Sequence, residues 1–198
     1  MKTQLLLLLL GANQLLTAQI RFTEVTTPWN FTGSYYGSVA FADIDNDGDQ
    51  DLLITGFDGS IQPMTKLYTN DQGEFSEVSD TPFEGVAYSS VAFADVDDDG
   101  DQDLLITGEN SASQRIAKLY TNEAGVFPEL SDTPFEGVAH GSVAFADVDD
   151  DGDQDLLITG ENSASQRIAK LYNNEAGAFS EVNDTPFEGV AHGSVAFA

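Results

Sequence analysis

The segment FADIDNDGDQDLLITG begins at Phe41, and FADVDDDGDQDLLITG begins at Phe93 and again at Phe145, so one unit recurs every 52 residues. The period continues outside that segment. KLYTN starts at Lys66 and Lys118, and KLYNN at Lys170; DTPFEGVA starts at Asp80, Asp132 and Asp184. A repeat of this length is one supersecondary unit that cannot bury its own faces and must stack on its neighbours. That requirement constrains the fold more than any other feature of the chain.

Within one unit the apolar pattern has the two-residue period of strands. Residues 90–94 alternate apolar and small side chains. Residues 104–107 form a short apolar run suited to a strand buried on both faces. Residues 116–121 alternate again, and 126–130 follow a turn at Glu123, Ala124 and Gly125. Asp132 and Pro134 mark the connection to the next unit. No stretch carries helical periodicity. The expected fold class is therefore all-β, with four antiparallel strands per unit, the geometry of one propeller blade.

The loop between the first two strands carries the chemistry. Counted from its first aspartate, the first loop places Asp43, Asp45, Asp47, Asp49 and Asp51 at positions one, three, five, seven and nine. The second places Asp95, Asp97, Asp99, Asp101 and Asp103 there, and the third Asp147, Asp149, Asp151, Asp153 and Asp155. Position six is Gly48, Gly100 or Gly152, which allows the sharp turn that brings later ligands back. Calcium takes six to eight oxygens in tolerant geometry, and alternate carboxylates on a tight loop supply them. Position seven is expected to offer its backbone carbonyl, and position nine to close the shell. Asp98 and Asp150 are extra carboxylates that point elsewhere or add negative field. Magnesium demands stricter octahedral geometry. Zinc and copper favour His or Cys, which the loops lack. An EF-hand needs a Glu at position twelve between helices. Position twelve here is Ile54, Ile106 or Ile158.

Charge supports a cation partner. The chain has 34 acidic and 7 basic residues, a net charge of −27. Half of the acidic groups crowd into the three loops, where mutual repulsion is relieved by bound cations. The absence of a basic patch excludes nucleic-acid binding. The apolar fraction of 41% and aromatic fraction of 10% indicate a folded chain. No cysteine is present, which excludes disulfides, thiolate metal sites and cysteine-based catalysis.

Residues 1–18 read as a signal peptide: Lys2 is the positive charge, residues 5–10 are leucine, and Ala18 precedes the cut. The apolar stretch is shorter than the roughly 20 residues of a membrane span, and Asn13 and Gln14 interrupt it. The expectation is a secreted or cell-surface protein with no membrane span after signal removal. Residues 19–37 supply a fourth strand of an incomplete blade, because 22–25 (FTEV) resembles 75–78 (FSEV). Repeats then occupy 38–89, 90–141 and 142–193, and 194–198 begin a truncated fourth.

The DxDxDGDxD loop, the following DLLITG, the KLYxN strand and the F-x-E-L/V strand together resemble the FG-GAP/VCBS repeats of integrin-α-like β-propellers, especially the secreted bacterial members. The resemblance spans about residues 20 to 198. It implies that the loop joins the first and second strands of a blade and binds calcium, about one ion per complete loop. Rings of that family usually have about seven blades, so it also implies that this chain is a fragment of a larger ring.

The function expected from these features is a calcium-stabilised module for cell-surface adhesion, or for recognition of an extracellular glycan or protein. Candidate contact residues recur once per repeat: Tyr36, Tyr88, His140 and His192, with Arg115, Arg167, Glu109 and Glu161 as a second set. Near-perfect repetition leaves no asymmetric constellation for catalysis. The alternatives are a non-catalytic propeller part of a secreted polysaccharide-degrading enzyme, or a structural spacer.

Overall fold

The computed structural model describes residues 31–197. The signal segment and the strand expected at 22–25 lie outside the described residues. Eleven strands and no helix occur among them. Blade one contains β1 (Val39–Ala42), β2 (Asp51–Phe57), β3 (Pro63–Asp71) and β4 (Glu74–Glu77). Blade two contains β5 (Val86–Ala94), β6 (Asp103–Asn110) and β7 (Arg115–Tyr120). Blade three contains β8 (Val138–Ala146), β9 (Asp155–Asn162), β10 (Arg167–Glu175) and β11 (Ala178–Glu181).

Every pairing is antiparallel and the strand order follows the chain. The all-β blade architecture expected from the repeat is thus present. One bridge, Met64 to Val86, joins blades one and two into a seven-stranded sheet. An equivalent isolated bridge links Ile168 to Val190.

Two strand limits differ from the sequence reading. The first strand of blade two begins at Val86, not residue 90, because it continues through a bulge between Ala87 and Ser90. The fourth strand of blade two is reduced to the isolated bridges Tyr120–Glu129 and Glu123–Val126. Its cause is Pro128, which stands where blades one and three have Ser76 and Ser180. Proline accepts a hydrogen bond from Thr121 but has no N–H to return one.

The second strand alternates its faces between two neighbours. Leu53 of blade one packs with Leu104, Ile106 and Tyr120 of blade two. On the other face of the same strand of blade two, Leu105 packs with Leu156, Ile158 and Tyr172 of blade three. Leu53, Leu104, Leu105, Leu156 and Ile158 are fully buried. This explains a run of consecutive apolar residues in strands that would read as alternating if one face met water. The DTPFEGVA segment crosses over the preceding blade. At Gly137 a Cβ would lie 2.1 Å from the Arg115 carbonyl oxygen, so no other residue fits.

Candidate metal centre

Each loop is wound by its own aspartates. The position-one carboxylate accepts two amides: Asp43 from Asp47 at 3.1 Å and from Gly48 at 2.9 Å. Asp95 and Asp147 repeat this at 3.0 to 3.1 Å. Gly48, Gly100 and Gly152 sit at φ of 94°, 96° and 106°, a region that side chains with a Cβ rarely occupy. The position-five carboxylate accepts the amide of position seven, as Asp47 does from Asp49 at 2.8 Å.

The remaining aspartates fix the loop to its blade. Position seven turns its side chain away from the loop centre. Asp49, Asp101 and Asp153 accept amides of Gln72, Ala124 and Ala176 in the turn after the third strand. Position nine is the buried one: Asp51, Asp103 and Asp155 are at most 1% exposed. Asp103 accepts the Val96 amide at 2.8 Å and the Asn122 amide at 2.8 Å, one on each oxygen. Asp51 and Asp155 do the same with their own loops and third strands.

Carboxylate oxygens converge in all three loops. Asp43, Asp45 and Asp51 form one group, Asp95, Asp97 and Asp99 a second, and Asp147, Asp149 and Asp155 a third. In each group the oxygens lie within 4.8 Å of one another. Two oxygens sharing a calcium at 2.3–2.6 Å lie at most about 5 Å apart, so the spacing fits one ion per group. The donors are all hard oxygens, which suits a hard divalent cation such as calcium and not zinc or copper. Among the expected ligands, Asp47, Asp49, Asp101, Asp103, Asp151 and Asp153 are not in these groups. Asp103 remains beside its group, held by two amides.

Electrostatics shows how strongly the loop carboxylates repel one another. Burial pushes the Asp103 carboxyl up to about 6, against the lowering effect of the Val96 and Asn122 amides, with Asp97 and Asp99 adding repulsion. Asp51 is raised for the same reasons. Desolvation also raises Asp97 and Asp149, reinforced by Asp99 and Asp151 respectively. Burial and like charges disfavour the ionised form of these carboxylates, and a cation among them would favour it.

The loops also meet one another. Asn46 donates to Asp101 at 2.6 Å across the first junction. At the second junction Asp98 replaces that asparagine and faces the Asp153 carboxylate; desolvation and then Asp153 raise it. Sequence reasoning missed a further set. Asn122 and Asn174 are buried, and each donates to a loop carbonyl of the preceding blade, Ile44 or Val96, at 2.8 Å. The 52-residue recurrence of Asn at the end of KLYTN was the available signal.

The candidate contact residues form a column. Tyr36, Tyr88, His140 and His192 have left-handed φ of 50° to 57°. Their rings follow one another at centroid distances of 5.0, 4.3 and 4.6 Å. Tyr36 is 64% exposed at one end. Burial lowers the His140 imidazole, and His192 adds to the shift. Beside the column, Arg115 pairs with Glu161 of the next blade at 2.7 Å and also donates to the Asn162 carbonyl. No side-chain ion pair joins Glu109 to Arg167 among the described residues.

Two comparisons bear on this arrangement. A T-cell immunomodulatory protein from Rattus norvegicus is 31% identical over 113 residues, covering 54% of this chain. The chain spans only 18% of that protein's length. The FG-GAP-like repeat matches residues 43–106 and again 95–158, each match running from the first aspartate of one loop into the second strand of the next blade. These matches together cover more than half of the chain and contain all three aspartate loops, so the chain belongs to the FG-GAP-like repeat family.

Proposed function

We propose that this chain is a secreted, calcium-binding propeller module that recognises an extracellular glycan or protein, with calcium in a structural role. The observation carrying the proposal is the convergence of oxygen-only aspartate groups in three loops of identical register. Each ion would pin a loop that already touches its own third strand and the neighbouring blade. Binding to the folded chain alone stabilises it by mass action, about 2.7 kcal/mol per site at a hundredfold excess over Kd.

Recognition is supported by the column from Tyr36 to His192. Tyrosine and histidine in left-handed backbone cost about 1–3 kcal/mol each, and such strain concentrates where side chains are displayed for function. Aromatic faces suit sugar rings and protein side chains alike. The non-enzymatic reading follows from the repetition of the site and fits the family.

The test is an array of glycans and extracellular proteins probed with the chain in calcium and in chelator. Binding that requires calcium and is lost in Tyr36→Ala is expected. A chain that is folded in calcium yet binds no array member would contradict recognition.

A further inference from the structure

The third loop faces a strand amide that the other two lack. Asn173 occupies β10 where blades one and two have Thr69 and Thr121. It is half-buried and pairs in register with Ser180. One terminal atom of its side-chain amide lies 2.9 Å from Asp149 Oδ2 and 3.3 Å from Asp155 Oδ1. Both carboxylates belong to the convergent group of that loop. Without a cation, that atom must be Nδ2, donating to both; an oxygen there would face only acceptors.

We infer that Asn173 is a ligand of the third metal site and switches its amide when the ion binds. The inference rests on the calcium reading above. The two ends of an amide are nearly isosteric, so a half-turn about the last side-chain bond exchanges Nδ2 for Oδ1 without moving the backbone. In the metal-free chain Nδ2 bridges Asp149 and Asp155 and relieves their repulsion. In the loaded chain Nδ2 would point its positive end at the cation, whereas Oδ1 in the same place adds a neutral oxygen to the shell. Calcium accepts six to eight oxygens, including amide carbonyls, so the extra ligand replaces a water. The threonine hydroxyls of the first two blades are one atom shorter and carry no carbonyl. The three sites are thereby unequal, with the third preorganised by its own strand.

The test uses the full chain and calcium alone, with Asn173→Thr, Asn173→Asp and Thr121→Asn variants. Asn173→Thr installs the residue that the other blades carry, so the fold tolerates it. Titration calorimetry is expected to show one of three sites weakened by about tenfold or more in Asn173→Thr, with the other two unchanged. Asn173→Asp is expected to bind at least as tightly as the parent, because it keeps an oxygen in place. Thr121→Asn is expected to tighten a second site. The side-chain amide signal of Asn173 in nitrogen-15 NMR should shift as that site fills. Unchanged affinities in Asn173→Thr would overturn the inference, and so would an Asn173→Asp variant weaker than Asn173→Thr, which would mark a donor-only role. Absence of calcium uptake by the parent at every site would instead overturn the calcium reading itself.

Discussion

Blades two and three have almost the same sequence and different surroundings. Toward the preceding blade they match: Leu104 and Leu156 are both fully buried, as are Tyr120 and Tyr172. On the opposite face they diverge. Leu105 and Leu119 of blade two are fully buried, whereas Leu157 and Leu171 of blade three are only half-buried. Val96 is 2% exposed and its counterpart Val148 is 41% exposed. The residues are identical, so the difference comes wholly from the neighbour. In a repeat protein the core is assembled at interfaces between units, and a side chain's energetic weight depends on which interface it serves.

Truncation of the second strand separates the two faces. Leu105→Ala is expected to cost about 2–5 kcal/mol in urea unfolding with calcium present, and Leu157→Ala clearly less. Leu104→Ala and Leu156→Ala should cost similar amounts, since both face a preceding blade. Equal losses at 105 and 157 would break the comparison.

The inter-blade asparagines come next in size. Removing Asn122 leaves the Ile44 carbonyl without its buried donor, an expected loss of about 1–3 kcal/mol, matched by Asn174→Ala. Asn70→Ala should cost less, because that side chain is half-buried and, among the described residues, its Nδ2 bonds only to the Gln50 carbonyl of its own blade. Thermal melting of the three variants would rank them.

Asp98→Asn would rebuild at the second loop junction the Asn46–Asp101 bond of the first. It is expected to raise the melting temperature in chelator, with a smaller gain in calcium, where the charge is already countered. The smallest effect belongs to Pro128→Ser. It restores one amide to the fourth strand of blade two, worth about 0.5–1 kcal/mol, and should appear as slowed hydrogen exchange around Thr121.

Much of this was legible in the sequence because the repeat reports on itself. The loop register, the blade strands and the doubly buried DLLITG run follow from spacing and apolar pattern. The partners of Asn122 and Asn174 were not legible, since they lie on another blade 78 residues away. Nor was the left-handed backbone at Tyr88 and His140, because both lie in the bulge of the first strand, which the alternating pattern does not mark. The division of labour among the aspartates was legible in part. Spacing gave position seven a backbone role and position nine the closing carboxylate, whereas the turn amide that each position-seven side chain holds and the third-strand amide on each position nine come from outside the loop.

If the three aspartate loops bind calcium as proposed, the ions hold the blades together. The most direct test is a calcium titration of the chelator-treated chain, following bound ions and melting temperature together. Three ions per chain and a melting temperature that rises with free calcium are expected. A chain that binds no calcium and melts at the same temperature with and without it would contradict the account.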